Sequence, residues 1–263
     1  MKVLLINPPF TGMGGVEGHG GQQAPLGLGY LAAYASKYHP EYELFFYDAE
    51  VMRSDFADIQ GEIAQMMPDV VAINMTTPAY VHAVKAAEMA KAVSENILTI
   101  VGGPHPSAFP EEVISEPFID CCVSGEGEIA FLQFLETVDK GGSFDSIPGL
   151  SHSLSGKHHI SESQGTQVPD LDMIPFPTRD FMPIKSYGPP ATKRIGRGLG
   201  ANMITSRGCP YDCTYCESKV IWTRKVRLRS PKNIVDEMEL LQKKYGVGEI
   251  NFHDDILPMK REN

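Results

Sequence analysis

Met1-Lys2-Val3-Leu4-Leu5-Ile6-Asn7-Pro8-Pro9 opens the chain with an apolar run of only a few residues that ends in two prolines. A secretory leader needs a longer apolar stretch and a small-residue cleavage site, so the run reads as a buried strand. Runs of the same kind recur at Tyr42 to Tyr47, Val70 to Asn74, Ile97 to Val101 and Ile119 to Val123. Between them lie stretches of helical spacing, at about Leu26 to Tyr38, Asp55 to Met67, Ala79 to Ser94, Pro110 to Glu116 and Glu128 to Asp139. Strand and helix in regular alternation predict an α/β fold. Residues 1–140 are expected to form a doubly wound, Rossmann-like parallel sheet covered on both faces.

Ligands of such sheets bind beyond the carboxyl ends of the strands, so those loops carry the functional information. Here they are rich in glycine and proline: Pro8 to Gly15, Met75-Thr76-Thr77-Pro78, and Gly102-Gly103-Pro104-His105-Pro106. Glycine lets backbone approach a ligand closely. A dinucleotide fingerprint needs G-x-G-x-x-G opening a helix directly after a strand, and Gly12-Met13-Gly14-Gly15 does not match it.

In the second half, Ser206-Arg207-Gly208-Cys209-Pro210-Tyr211-Asp212-Cys213-Thr214-Tyr215-Cys216 sets three cysteines at C-x3-C-x2-C spacing. A structural zinc site takes four protein ligands and a cubane iron-sulfur cluster one per iron, so three thiolates leave one corner open for chemistry. The residues alone also allow a zinc site completed by a distant His253, or three unrelated buried thiols. The apolar run Ala201 to Thr205 reads as a strand, and Gly208 and Pro210 break it into a loop.

This loop resembles the signature of the radical SAM superfamily, which has the same spacing and an aromatic before the last cysteine, as Tyr215 stands before Cys216. The resemblance implies a 4Fe-4S cluster on Cys209, Cys213 and Cys216 whose free iron chelates S-adenosyl-L-methionine. Reduction by a donor such as flavodoxin or ferredoxin then yields methionine and a 5'-deoxyadenosyl radical. It also implies that Tyr215 lies near the adenine. The first half resembles the cobalamin-binding domain found ahead of many radical SAM cores, which implies that Thr76, Thr77, Gly102 and Gly103 line the groove for the nucleotide tail.

The D-x-H-x-x-G of methionine-synthase-type domains is absent, since Glu17-Gly18-His19-Gly20-Gly21-Gln22 fails at the acid and at the last glycine. His19 and His105 remain as weak axial candidates. Gln23 to Tyr34, Gly102 to Pro106, and Gly125-Glu126-Gly127-Glu128 read like the anaerobic magnesium-protoporphyrin ester cyclase and hopanoid-modifying members of the group. On physical grounds alone, Pro25 starts a helix whose glycines pack on the sheet, and Glu126 and Glu128 are favourable charges at a helix N-terminus without a catalytic role.

Residues 141–197 read as a linker with a small hairpin, Gly149 to Leu154 pairing with His158 to Ser161 across Ser155-Gly156-Lys157. His152, His158 and His159 are read as surface residues. Residues 198–263 read as the start of a partial (β/α) radical SAM barrel, with a helix from Pro231 to Tyr245 and a strand at Glu249 to Asp255. The resemblance places Asp254 or Asp255 against S-adenosylmethionine; otherwise they are turn carboxylates. A barrel of about six strand-helix units needs well over ~150 residues. The chain ends at Asn263, 47 residues after Cys216, so a truncated or split core is expected, with the rest on a separate chain.

The net charge of -10 excludes binding of nucleic acid through an overall positive field, and no apolar run is long enough to span a membrane. Cys121 and Cys122 are expected in the core of a strand, and an oxygen-sensitive cluster points to a reducing cytoplasm. The expected function is cobalamin-assisted modification of an unactivated carbon in a small-molecule substrate, methylation first. The alternatives are an oxidative cyclase of porphyrin type and a non-catalytic cobalamin- or cluster-binding module. A flavodoxin-like signalling module gives no reason for the three cysteines.

Overall fold

The first strand, β1 (Lys2–Asn7), has Val3, Leu4, Leu5 and Ile6 completely buried, as its apolar run requires. The computed structural model describes residues 1–10, 23–154, 156–188 and 198–256. His19 and the segments Gly12 to Gly15 and Glu17 to Gln22 lie outside the described residues. After β1 come α1 (Leu26–Tyr38), β2 (Glu43–Asp48), α2 (Ala49–Met52), α3 (Phe56–Met66), β3 (Val70–Asn74), α4 (Tyr80–Val93), β4 (Leu98–Gly102), α5 (Pro104–Ala108), α6 (Pro110–Ile114), β5 (Cys121–Val123) and α7 (Glu128–Lys140). The expected alternation is present, with boundaries within two residues for most elements.

These five strands run parallel in the order β2-β1-β3-β4-β5. Their side chains alternate between faces. Leu4 and Ile6 join one core with Ile59 and Ile63 of α3 and Ala83 and Ala87 of α4. Val3 and Leu5 join another with Leu28 and Ala32 of α1 and Phe131 and Phe134 of α7. Full burial of a large aliphatic or aromatic side chain stabilises by about 1.5–3 kcal/mol, so these two layers hold the domain together. The chain leaves β1 to one side for β2 and returns to the other side for β3. A crevice therefore opens between the carboxyl ends of β1 and β3, the switch point where doubly wound sheets bind ligands.

The stretch read as a linker adds to this sheet. β6 (Leu150–Leu154) lies antiparallel against β5, and β7 (Lys157–His159) pairs with β6, giving seven strands. Pairing covers the edge that a three-residue β5 would otherwise leave open. His152 is buried, contrary to the surface reading, because it pairs with Cys121 across the ladder and its Nε2 meets Asp145 Oδ1 at 2.8 Å. Hydrogen bonds from Lys157 and His152 hold the Asp145 carboxyl down at about 2. A lowered folded pKa means that its contribution is present above the unfolded value of about 3.9 and is lost as pH falls toward 2. Amide-exchange protection of the β6–β7 hairpin is therefore expected to fade over that acid window, and Asp145→Asn to remove the dependence.

The C-terminal part begins with β8 (Leu199–Met203) and β9 (Ser206–Arg207), followed by α8 (Ser218–Trp222), β10 (Arg227–Leu228), α9 (Pro231–Tyr245) and β11 (Val247–Phe252). β8 and β11 pair in parallel through α9, one strand-helix-strand unit. Ser230 caps α9 on the Asn233 N–H, Pro231 occupies its first turn, and Gly246 ends it in the left-handed conformation at φ 70°. The two halves are tied by a strap. Thr178 N–H donates to Gly29 O, and a Cβ on Gly29 would lie 2.9 Å from Pro177. This glycine admits the strap rather than the sheet. Beyond the strap, Asn202 Nδ2 donates to Ala24 O at 2.7 Å, and Arg179 reaches both Asn202 O and Glu237.

Candidate cofactor cavity and cysteine loop

A cavity of about 260 Å³ opens at the carboxyl ends of β3, β4 and β5, beside the switch point, and is walled by both halves of the chain. Its floor is the carboxyl end of β3 and β4, with Asn74, Gly102 and Gly103. Leu28 of α1 and Phe131 of α7 form apolar sides, while Ile204, Arg207 and Trp222 close it from the C-terminal half. A Cβ built on Gly27 or Gly102 meets nothing within 4 Å, so both glycines face open space in this cradle. Gly103 has φ 123°, and a Cβ there would lie 2.8 Å from Met75 O, so its backbone conformation demands glycine.

Of the four positions expected at the groove, Gly102 and Gly103 border this cavity; Thr76 and Thr77 are not among its lining residues. The chain turns away after Asn74, and Thr77 Oγ1 instead meets His105 Nδ1 at 3.2 Å. His105 is 5% exposed, packed between the rings of Tyr80 and Phe109, and is likewise absent from the cavity wall. Asn74 takes the place of the threonines. A readable signal existed for it: the apolar runs of β1, β2 and β3 each end on a polar residue, Asn7, Asp48 and Asn74.

Arg207 joins this cavity to the cysteine loop. It stands two positions before Cys209, and its guanidinium is held on both sides, 5.2 Å from the Tyr30 ring centre and 4.9 Å from that of Trp222. Its Nη1 donates to Glu126 at 2.9 Å and its Nη2 to Glu128 at 2.5 Å. Arg227 binds Glu126 from the other side and also donates to Val168 O at 2.6 Å. All four side chains are at most 6% exposed. Burial works against the Glu128 charge, but the Arg207 cation beside it outweighs that and holds the carboxyl below its usual range. Burial leaves Glu126 somewhat above that range in spite of its two arginines. Charges at a helix start thus account for little of these two glutamates; their work is to neutralise Arg207 and Arg227.

The loop from Gly208 to Val226 is pinched at its base. β9 and β10 pair antiparallel there, and Gly208, at φ 97°, brings its Cα so close to Lys225 O that a Cβ would lie 2.3 Å away. Asp254 pins the same base from below, since its carboxylate accepts from Thr205 N, Thr205 Oγ1 and Ser206 Oγ. Asp255 accepts from Ser218 Oγ. Within the loop, Cys216 N–H donates to Cys213 O at 3.1 Å, and Cys209, Cys213 and Cys216 are free and half-buried. Tyr215 is 88% exposed, and the adjacent Cys213 sulfur raises its phenol. No three His, Cys, Asp or Glu side chains among the described residues form a group that holds a metal ion, so the thiols are present in the right chemistry but are not gathered. Cys121 and Cys122 are completely buried, and burial pushes the Cys122 thiol up to about 12.

Residues 16–135 match the B12 binding domain family, and residues 203–256 match the radical SAM superfamily. An uncharacterized methyltransferase of Pyrococcus horikoshii is 35% identical over 100% of this chain and 55% of its own length. The anaerobic magnesium-protoporphyrin IX monomethyl ester cyclase of Rubrivivax gelatinosus is 32% identical over 94% of this chain and 44% of its own. Among solved structures, the cobalamin-dependent S-adenosylmethionine radical enzyme OxsB, with aqua-cobalamin and S-adenosylmethionine bound, superposes with a TM-score of 0.77 at 19% identity, over 97% of this chain and 34% of that one. That likeness is one of fold. The chain spans about half the length of the curated relatives it matches. No helix among the described residues is long and apolar enough to cross a membrane.

Proposed function

Because this chain belongs to the B12-binding radical SAM family, we propose that it serves the cobalamin-assisted methylation of an unactivated carbon in a small-molecule substrate. The observation that carries the reading is the shared wall: Arg207 lines the cavity at the carboxyl edge of the sheet and stands two residues before the first cysteine of the loop. When bound, the cluster supplies the electron that cleaves S-adenosylmethionine, and the corrinoid carries the group to be transferred.

The chain's own residues bind and orient. Cys209, Cys213 and Cys216 supply the three thiolates, a donor set that suits a cluster with one open iron. Tyr215, exposed beside Cys213, is the residue assigned to the adenine of S-adenosylmethionine. Asp254 fixes the loop base through Thr205 and Ser206, which leaves Asp255 as the freer carboxylate for S-adenosylmethionine. Gly102 and Gly103 form the cradle for the corrinoid's nucleotide tail, with Asn74 in the role expected of Thr76 and Thr77. The reducing electron comes from a flavodoxin- or ferredoxin-like donor. A second reading, oxidative ring closure, is favoured by the cyclase relative at 32% identity.

Anaerobic reconstitution with iron, sulfide and hydroxocobalamin, followed by metal analysis of the desalted protein, tests this assignment. About four irons and one cobalt per chain support both sites. Absence of cobalt overturns the cavity assignment, and absence of iron overturns the loop assignment. Gly102→Leu is expected to fill the cradle and weaken hydroxocobalamin binding by at least about tenfold, read from an optical titration, while iron uptake is unchanged.

A further inference from the structure

We infer that Tyr187, Asp48, Asn7 and Asn74 form a relay of hydrogen bonds that fixes the Asn74 amide with its oxygen toward the cavity, so that this wall selects the nucleotide loop of a corrinoid through a ribose O–H donor. The inference rests on the corrinoid reading of the cavity and adds the polarity of its recognition.

The relay follows the carboxyl edge of three neighbouring strands, β2, β1 and β3, which end on Asp48, Asn7 and Asn74. Asp48 is 1% exposed and acts only as an acceptor, because three donors converge on it. Tyr187 OH donates to Oδ2 at 2.6 Å, while Asn7 Nδ2, at 2.9 Å, and the Val51 N–H, at 3.1 Å, donate to Oδ1. With its amide nitrogen committed to the carboxylate, Asn7 offers its oxygen to the other side, and Asn74 Nδ2 donates to it at 3.1 Å. Each amide therefore hands on the polarity set by the acid. A flipped Asn74 would set two amide oxygens against each other, leaving both short of a donor.

What remains of Asn74 is Oδ1, which takes no hydrogen bond from a described residue. It lies beside Gly103, where a built Cβ would come within 3.2 Å, and both residues line the cavity. The charged side chains on the same wall, Glu126, Glu128 and Arg207, are already paired with one another. An acceptor fixed in this way matches the ribose hydroxyls of a nucleotide loop, which the loop-free corrinoid lacks, whereas the amide side chains and the aminopropanol amide are common to both.

Optical titrations of the purified chain with hydroxocobalamin and with dicyanocobinamide, which lacks the nucleotide loop, test the relay in the wild type, Asn74→Ala and Asn7→Ala. Asn74 is the contacting residue and Asn7 a positioning residue. Both variants are expected to bind hydroxocobalamin about tenfold more weakly, the worth of one well-placed hydrogen bond, and to bind the cobinamide within about twofold of wild type. Retained cobinamide binding also shows that the variant is folded. Equal loss of both corrinoids, or no loss of either, overturns the relay while leaving the cavity assignment standing. A wild type that binds neither corrinoid overturns the cavity assignment and the relay with it.

Discussion

Cys213→Ala is expected to take up less than a quarter of the iron that the wild type acquires on anaerobic reconstitution, while its hydroxocobalamin binding stays within about twofold. The loop offers three thiolates and no spare, so a cluster deprived of one loses a second corner and becomes labile. No other cysteine can step in. Cys121 and Cys122 are completely buried in β5, and desolvation raises both thiols, which keeps them protonated and inert. Cys122→Ser should accordingly leave iron content untouched. The same pair of measurements separates the two halves of the chain, because Asn74 and Gly102, which face the cavity proposed for the corrinoid, lie on β3 and β4 rather than on the loop. Equal iron in Cys213→Ala and wild type would remove the cluster assignment.

Glu126→Ala is expected to be the most destabilising single change outside the two aliphatic cores. It removes the carboxylate shared by Arg207 and Arg227, both at most 6% exposed, and leaves two cations with only Glu128 between them. Breaking a buried ion pair from one side costs about 3–5 kcal/mol, mostly the penalty of the uncompensated charge. At about 2–4 °C per kcal/mol for a chain of this size, the thermal midpoint should fall by roughly 10 °C. Because Arg207 leads into the cysteine loop, limited proteolysis should cut within residues 208–226 faster in the variant than in the wild type. Unchanged proteolysis in a destabilised variant would mean that the ion pairs stabilise the core without ordering the loop. Removing Glu128 instead leaves Arg207 on Glu126, so a smaller shift is expected.

The positions of the site residues were legible to different depths. Gly102 and Gly103 stood out through the resemblance to the cobalamin-binding domain and because glycine permits backbone to approach a ligand, and both line the cavity. Thr76 and Thr77 were expected beside them, yet the chain turns at the end of β3 and leaves Asn74 as the last residue of that strand on the wall; where a chain turns after a strand is not visible in composition. Glu126 and Glu128 read as helix-start charges because their partners are far away in sequence, 81 residues in the case of Arg207 and Glu126. Two acids framed by glycines, and an arginine directly before the cysteine loop, were each visible; that they meet was not. His152 shows the same limit, since a histidine in a polar hairpin becomes buried only when that hairpin docks on β5.

By itself the sequence determined the alternation of buried strands and amphipathic helices, the sheet's carboxyl edge as the place for ligands, and the three-thiol loop with its open coordination corner. These are local properties: apolar periodicity, glycine-rich loops after the strands, and ligand count. Tertiary structure alone decided what the two halves share. The docking of the hairpin onto β5, the four-membered ion-pair cluster around Arg207, and the polarity of Asn74 all depend on side chains brought together from distant segments. Burial gives those meetings their energy, because a charge or amide removed from water must find its partner wherever the fold has put it.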